Sequence, residues 1–180
     1  MRVLGIDPGS AATGFGVVER QGGDLVHVAH GVIRVRSGDL AARLDQLYAA
    51  LRAVLEQHQP DTAAVEQVFV ASSPRSALVL GQARGAVLAA LGASGLPVSE
   101  YSASQVKQCV AGDGRASKAQ VQRMVRRVLV LERSPATDAA DALAVALRHL
   151  HGSRLELAGV AAPRQRPRAR RDALRTRLLR

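Results

Sequence analysis

The sequence contains few of the residues that form disulfide frameworks, zinc sites and aromatic cores. Its 180 residues include one cysteine, Cys109, five histidines, no tryptophan, and two residues each of phenylalanine and tyrosine. A single cysteine excludes an internal disulfide, and no cluster of cysteine and histidine has zinc-ligand spacing. Any metal would therefore be bound by carboxylates, which suit hard cations such as Mg²⁺ or Mn²⁺.

Long apolar runs and targeting signals are also lacking. No apolar stretch approaches the roughly 20 residues that cross a bilayer, and the N-terminus has no signal-peptide pattern. We therefore expect a soluble, cytoplasmic protein without a membrane partner. The length and the apolar content of 47% suit one full-sized globular domain.

The formal net charge of +10 is unevenly distributed along the chain. Residues 163–180 contain eight arginines and one aspartate, whereas residues 1–162 contain 17 basic and 14 acidic side chains. An arginine-rich segment punctuated by proline is either a solvated end or a mobile arm that contacts phosphates, and the two roles are compatible.

The order of predicted elements is that of a single α/β domain. Apolar periodicity and turn residues predict three strands, a helix, a buried strand, a second helix, a short edge strand and three more helices. In chain order these elements lie at 2–7, 14–20, 24–35, 39–58, 62–66, 75–92, 96–99, 102–110, 118–131 and 134–150. Strands joined directly pair antiparallel, and strands separated by a helix pair parallel, which predicts a mixed sheet.

The second predicted helix is rich in small residues. Gly81, Gly85 and Ala89 lie on one of its faces. They would permit the close approach of another helix, either within the fold or across a dimer.

Four acidic residues have apolar surroundings. Asp7 and Glu66 each follow a buried-strand pattern, so both carboxylates are expected at the C-terminal ends of strands, where open α/β sheets place their sites. Asp138 and Asp141 are three residues apart on an apolar helix and share a face. Clustered carboxylates raise one another's pKa, a conflict that divalent cations resolve, and two such ions suit in-line phosphodiester hydrolysis.

Each of these residues also has a structural interpretation. Asp7 before Pro-Gly is typical of a turn-capping aspartate, and Asp138 and Asp141 could complement the positive end of a helix dipole. Glu66 is harder to explain in this way, because a central strand rarely ends in an unpaired glutamate. One shared site accounts for all four residues better than four separate structural roles.

These residues, with their spacing and surroundings, resemble the RuvC family of bacterial Holliday junction resolvases, within the RNase H-like nuclease superfamily. The resemblance rests on five segments, which in order are LGIDPGSAATGFGV, AVEQVF, SALVLGQARG, YSASQVKQCVAGDGRASKAQVQRMV and DAADALAVALRH. It covers residues 1–152, interpreted as the nuclease domain, and leaves residues 153–180 as a basic C-terminal tail expected to be disordered.

The resemblance implies a fold, an activity and partners. The implied fold is RNase H-like, an α/β fold with a mixed five-stranded sheet flanked by helices. The implied activity is the resolution of four-way DNA junctions by paired symmetrical nicks, in homologous recombination and DNA repair. It would require Mg²⁺ or Mn²⁺, with two ions per active site. A homodimer and coupling to the RuvA-RuvB branch-migration complex are also implied.

The resemblance also assigns roles to residues of the site. Asp7, Glu66, Asp138 and Asp141 match the acidic metal-binding set of the family. Some members have histidine at the position of Asp138, so this residue is either a ligand or a general base. Phe69 matches an aromatic residue of the following loop that contacts bases at the crossover, where stacking contributes about 1–3 kcal/mol. Its structural alternative is packing in the core.

Basic and polar residues extend the implied site. Lys107 and Lys118 match basic positions beside the active site, where ammonium groups position phosphates without reading sequence. Further DNA contacts are expected on nearby helices and loops, although such side chains are more often solvated. These candidates are Arg75, Gln105, Gln108, Arg115, Arg123 and Arg126.

Two other classes of function share parts of the pattern. The segment GIDPGSAATGFGVV also resembles the first phosphate-binding hairpin of actin-like ATPases and sugar kinases. Against this reading, 180 residues leave no room for a second lobe, and no second Asp-x-Gly hairpin is present. The second class is a catalytically inert junction-binding module, which the intact acidic set disfavours.

Overall fold

The computed structural model of the chain describes residues 1–35, 38–67 and 73–157, with side chains of the last helix described as far as Gly152. The strands and helices within these ranges alternate as predicted from the sequence. In chain order they are β1 (Arg2–Asp7), β2 (Ala12–Gln21), β3 (Asp24–Arg34), α1 (Leu40–His58), β4 (Thr62–Gln67), α2 (Pro74–Ala93), β5 (Val98–Ser102), α3 (Ala103–Ala111), α4 (Lys118–Val128) and α5 (Thr137–Leu157).

The strands form one five-stranded sheet in the order β3-β2-β1-β4-β5. The pairs β1/β2 and β2/β3 are antiparallel, and the pairs β1/β4 and β4/β5 are parallel. The prediction of a mixed five-stranded sheet flanked by helices is therefore confirmed. Strand β1 ends at Asp7, and β4 ends one residue after Glu66. These two strands are neighbours at the centre of the sheet.

Each face of the sheet is covered by its own layer of helices. Helices α3, α4 and α5 pack on one face around Val3, Val18 and Ala64. Helices α1 and α2 pack on the other face around residues that alternate with these, including Leu4 and Val65. Strands covered on both faces become nearly continuous apolar runs, which explains the sequences of β1 and β4.

Helix α5 approaches the sheet closely because three strand positions are glycine. A Cβ atom on Gly5 would lie 2.1 Å from the carbonyl oxygen of Ala142, and one on Gly14 would lie 1.9 Å from that of Asp138. A Cβ on Gly16 would lie 2.7 Å from the side chain of Leu143. The backbone of α5 thus rests directly on β1 and β2, at a distance that any larger residue would prevent.

Several predicted element ends differ from those of the structure. Strand β2 begins at Ala12, and α5 begins at Thr137, after the proline predicted to start it. Helix α4 ends at Val128, where Arg126 donates hydrogen bonds to the carbonyl oxygens of Leu131 and Glu132 and folds the chain back. Helix α5 continues to Leu157, so its last turn passes the predicted domain boundary at residue 152. The rest of the predicted tail lies outside the described residues.

Helix α2 presents its small residues to solvent. Gly81, Gly85 and Ala89 are exposed, and no described atom lies within 4 Å of a Cβ built on either glycine. The described residues therefore place no helix against this face, and the option of a neighbour across a dimer stays a prediction. The opposite face of α2, which includes Val87 and Leu91, is buried in the core.

The composition of α2 also corrects one expectation. This helix has 20 residues and a mean hydropathy of 1.4, which in length and composition is enough to cross a membrane. The expectation that no apolar stretch approaches this length was therefore wrong. The criterion is also met by core helices of globular domains, and α2 contributes Ala83, Val87, Ala90 and Leu91 to the core.

Candidate active site

Asp7 and Glu66 lie side by side at one edge of the sheet. The parallel register of β1 and β4 pairs Ile6 with Val65, so Asp7 and Glu66 are the next residues on the two strands. The residues that precede them are fully buried, whereas both acidic residues are partly buried. The expectation that these two carboxylates emerge at strand ends agrees with the structure.

Helix α5 brings two more carboxylates to the same edge. Asp7 pairs with Gly14 of β2, and Gly14 lies directly beneath the backbone of Asp138 in the first turn of α5. Asp141 follows three residues later, and its side chain is only 14% exposed. The close contact between α5 and the sheet therefore gathers all four predicted acidic residues at one end of the molecule.

The electrostatics of Asp7 and Glu66 reflect this clustering. Burial, followed by repulsion from Glu66, Asp141 and Asp138, raises the pKa of Asp7 from its ordinary value of 3.8 to about 7, although Lys118 opposes the rise. Burial and the charge of Asp141 also raise the pKa of Glu66, while Lys118 and Lys107 oppose this rise. Raised carboxylate pKa values of this origin are typical of functional sites.

The two predicted lysines interact with the cluster to different extents. The Nζ atom of Lys118 donates a hydrogen bond to Oδ2 of Asp141 at 2.9 Å. This bond is the largest cause of a raised Lys118 pKa, and the charges of Asp141, Asp7 and Asp138 contribute in the same direction. The charge of Lys107 opposes the rise in the pKa of Glu66. Both ammonium groups are thus within electrostatic reach of the carboxylates.

The acidic residues fit a hard divalent cation by their chemistry. Oxygen ligands from carboxylates suit Mg²⁺ and Mn²⁺, and a divalent charge relieves the repulsion that raises the pKa of Asp7 and Glu66. Among the described residues, however, no group of three or more histidine, cysteine, aspartate or glutamate side chains is arranged to hold a metal ion as it stands. Mg²⁺ in proteins usually takes one or two carboxylates and fills its other positions with water or phosphate oxygens, so a pair of these side chains would suffice.

Some of the other predicted DNA contacts have structural roles. The side chain of Gln105 accepts a hydrogen bond from the backbone of Ser102 and completes the capping box of α3. Gln108 bonds the backbone of Gly112 and Gly114 and so fixes the loop before α4. Arg126 bonds the carbonyls after α4.

The remaining candidates lie on the surface or outside the described chain. Arg75 is exposed in the first turn of α2. Arg115 is exposed in the loop before α4, and Arg123 is exposed on α4 itself. Phe69 lies outside the described residues, so its predicted contact with bases stays a prediction.

Two features that position the site were missed from the sequence. The first is the set of glycines beneath α5, for which glycine inside predicted strands was an available signal. The second is Arg43 of α1, whose guanidinium donates a hydrogen bond at 2.8 Å to the carbonyl oxygen of Ser10, in the turn that follows Asp7. These two residues are 33 positions apart, and no local pattern predicts their contact.

The sheet order, the helices on both faces and the acidic residues at the central strand ends define an RNase H-like domain of the nuclease type. The family model described as crossover junction endodeoxyribonuclease RuvC matches residues 3–149. The chain belongs to the RuvC family, whose members are metal-dependent nucleases.

Curated relatives agree with this assignment over most of their length. The crossover junction endodeoxyribonuclease RuvC of Burkholderia multivorans is 53% identical over 152 residues, which is 84% of each chain. The protein of the same description from Polynucleobacter necessarius is 55% identical over 155 residues, covering 86% of this chain and 91% of the relative.

Solved structures extend the likeness to three dimensions. Thermus thermophilus RuvC is 37% identical with a TM-score of 0.78, covering 87% of this chain and 97% of the other. The structure of T. thermophilus RuvC in complex with Holliday junction substrate has a TM-score of 0.81 at 37% identity, covering 91% of this chain and 99% of the other. The yeast mitochondrial resolvase Ydc2, at 13% identity and a TM-score of 0.65, shares the fold.

Proposed function

We infer that this chain is a crossover junction endodeoxyribonuclease that resolves four-way DNA junctions by hydrolysing phosphodiester bonds. The observation that carries this inference is the cluster of four carboxylates at the central strand ends of an RNase H-like domain. The junction substrate is supported by the solved complex of T. thermophilus RuvC with a Holliday junction. Recombination and repair in the bacterial cytoplasm would be its setting.

Asp7, Glu66, Asp138 and Asp141 would bind Mg²⁺ or Mn²⁺, with two ions per active site. Asp7 is the central residue, since the other three carboxylates all act on its pKa. Bound divalent cations would activate a water molecule and stabilise the leaving 3′-oxygen. Asp138 would be either a ligand or a general base, since some members of the family have histidine at this position.

The basic side chains around the cluster would hold the DNA backbone. Lys107 and Lys118 would contact oxygens of the scissile phosphate, because both ammonium groups already lie near the carboxylates. Phe69 would stack on a base at the crossover, and Arg75, Gln105 and Arg115 would extend the contacts with the backbone. Coupling to RuvA-RuvB belongs to the same proposal and rests on the family resemblance alone.

Cleavage of a junction provides the direct test. The purified protein is incubated with a mobile four-way junction and with Mg²⁺ or Mn²⁺, and nicks are mapped on all four strands. We expect symmetrical pairs of nicks that disappear when the metal is chelated.

Asp7→Asn should bind the junction and leave it intact. Asp45→Asn, an equal charge change at an exposed site on α1, should cleave like the wild type. Nicking by Asp7→Asn at the wild-type rate would refute the assignment.

Symmetrical nicking also requires two active sites, and α2 offers a surface for a homodimer. Its exposed face carries Gly81, Gly85 and Ala89 on an apolar helix, and small residues allow helices of two protomers to approach closely. Leu78, which is 64% exposed, extends the apolar area on this helix. A second copy of the chain would bury this surface.

A single type of substitution on two neighbouring helices tests the dimer. Ala89→Glu would place a charge in the proposed interface, and Ala49→Glu would make the same change on the exposed surface of α1. We expect Ala89→Glu to be monomeric by light scattering and to lose paired nicking, while Ala49→Glu stays dimeric. A dimeric Ala89→Glu protein would place the interface elsewhere.

A further inference from the structure

Lys118 occupies one of the carboxylates that the proposed function assigns to metal. Its ammonium group donates to Oδ2 of Asp141 at 2.9 Å. An oxygen engaged by a full positive charge is less available to a cation that needs the same oxygen. The ammonium group of Lys118 and a divalent cation therefore compete for the same oxygen of Asp141.

The influence of Lys118 extends beyond this one partner. Its charge interacts favourably with Asp141, Asp7 and Asp138, and it also opposes the rise in the pKa of Glu66, so it acts on all four carboxylates. Lys107 contributes in the same direction at Glu66. Lys118 thus acts as a counter-charge to the whole cluster.

The geometry lets Lys118 leave without moving the backbone. It is the first residue of α4, and a reciprocal capping box between Ser117 and Gln120 fixes that helix end. The Lys118 side chain is 65% exposed, whereas Asp141 is 14% exposed. The mobile partner is therefore the lysine, and its long stem can swing into solvent or toward a phosphate.

We propose that Lys118 is a positioning residue that controls metal loading: it holds Asp141 in the metal-free enzyme and is released when a divalent cation takes that oxygen. This inference rests on the proposed function. A DNA phosphate that draws the freed ammonium away favours metal binding, and metal binding in turn frees the ammonium for phosphate. Metal and substrate are then positively coupled through one side chain.

Calorimetric titration of Mg²⁺ and Mn²⁺ into the DNA-free protein tests this coupling without any cleavage. Lys118→Met keeps the apolar stem and removes the charge. Lys107→Met is the matched control, because it removes the same charge beside the same site without freeing Asp141. The pair is partly exposed, so we expect Lys118→Met to bind either ion about two- to fivefold more tightly than Lys107→Met.

A conservative variant separates the effect of the ion pair with Asp141 from the effect of side-chain size. Lys118→Arg retains the charge and can engage the Asp141 carboxylate through two parallel hydrogen bonds, so its metal affinity should equal or fall below that of the wild type. Equal affinities of Lys118→Met and Lys107→Met would overturn this inference and leave the proposed function intact. If none of these proteins bound either ion, both would fall.

Discussion

Replacing Asp7 with asparagine should make the metal-free protein more stable while it abolishes cleavage. Ionised Asp7 is unfavourable in the folded chain, because burial and the neighbouring carboxylates raise its pKa from 3.8 to about 7. Asparagine has nearly the same shape and no charge. The substitution therefore removes a repulsion that the enzyme retains for its chemistry.

The size of the effect follows from the pKa. Each unit of difference between the folded and unfolded pKa of a group corresponds to about 1.4 kcal/mol. Ionising Asp7 therefore destabilises the folded state by at most about 4 kcal/mol. A buried asparagine still loses hydration, which reduces the gain to about 2–4 kcal/mol. For a chain of this size such a gain raises Tm by about 4–16 °C.

The sign of the pH dependence can be stated in advance. Between pH 4 and pH 7 the folded chain holds a proton on Asp7 that the unfolded chain has already lost. Stability of the metal-free wild type should therefore fall as the pH rises through this window, and this contribution should be constant above pH 7. Asp7→Asn should lack most of this fall.

Thermal unfolding in a metal chelator, from pH 4 to pH 8, measures both quantities. Asp45→Asn on α1 provides the control for a general change in net charge. Excess Mg²⁺ should stabilise the wild type more than Asp7→Asn, because a ligand stabilises the state that binds it. A Tm for Asp7→Asn at or below that of the wild type at pH 8, with an unchanged pH profile, would refute the reasoning.

Two further predictions concern the scaffold of the site. Gly14→Ala would place a Cβ atom 1.9 Å from the carbonyl oxygen of Asp138, so we expect a loss of about 3 kcal/mol or more in urea unfolding. Gly23→Ala, which meets no atom within 4 Å, should change stability little. Ser117→Ala removes the cap of α4 and should lower the free energy of unfolding by about 1 kcal/mol. Ser117→Thr keeps a capping hydroxyl and should largely avoid this loss in the same measurement.

The sequence predicts the strand ends of the site well, because they depend on local pattern. Asp7 and Glu66 each close a short apolar run, and parallel strands separated by a helix bring such ends to one edge. Asp138 and Asp141 could be placed on one helical face by their spacing. Their height above the sheet could not be predicted, because it depends on glycines of β1 and β2 that contact α5 more than 120 residues later in the chain.

Other parts of the structure depend on contacts that no local pattern contains. The Lys118–Asp141 pair joins residues 23 positions apart. Helix α4 stops three residues earlier than its amphipathic pattern suggests, since Arg126 captures later carbonyls and Val130 adopts a positive φ of 50°. The small-residue face of α2 looked the same in the sequence whether its neighbour lay within the fold or in a second protomer. Among the residues that the structure describes, no helix packs against this face.

The glycines beneath α5 also bear on the choice of acidic side chain at the site. Because the helix backbone rests on the strands, three of the four carboxylates, Asp7, Asp138 and Asp141, interact electrostatically with only the short reach of aspartate. Glutamate at Asp138 or Asp141 would carry its carboxylate one methylene further and would add one rotatable bond. Within this fold, the length of the acid and the size of the residue beneath it are therefore linked traits. A change in one should be tolerated only together with a change in the other.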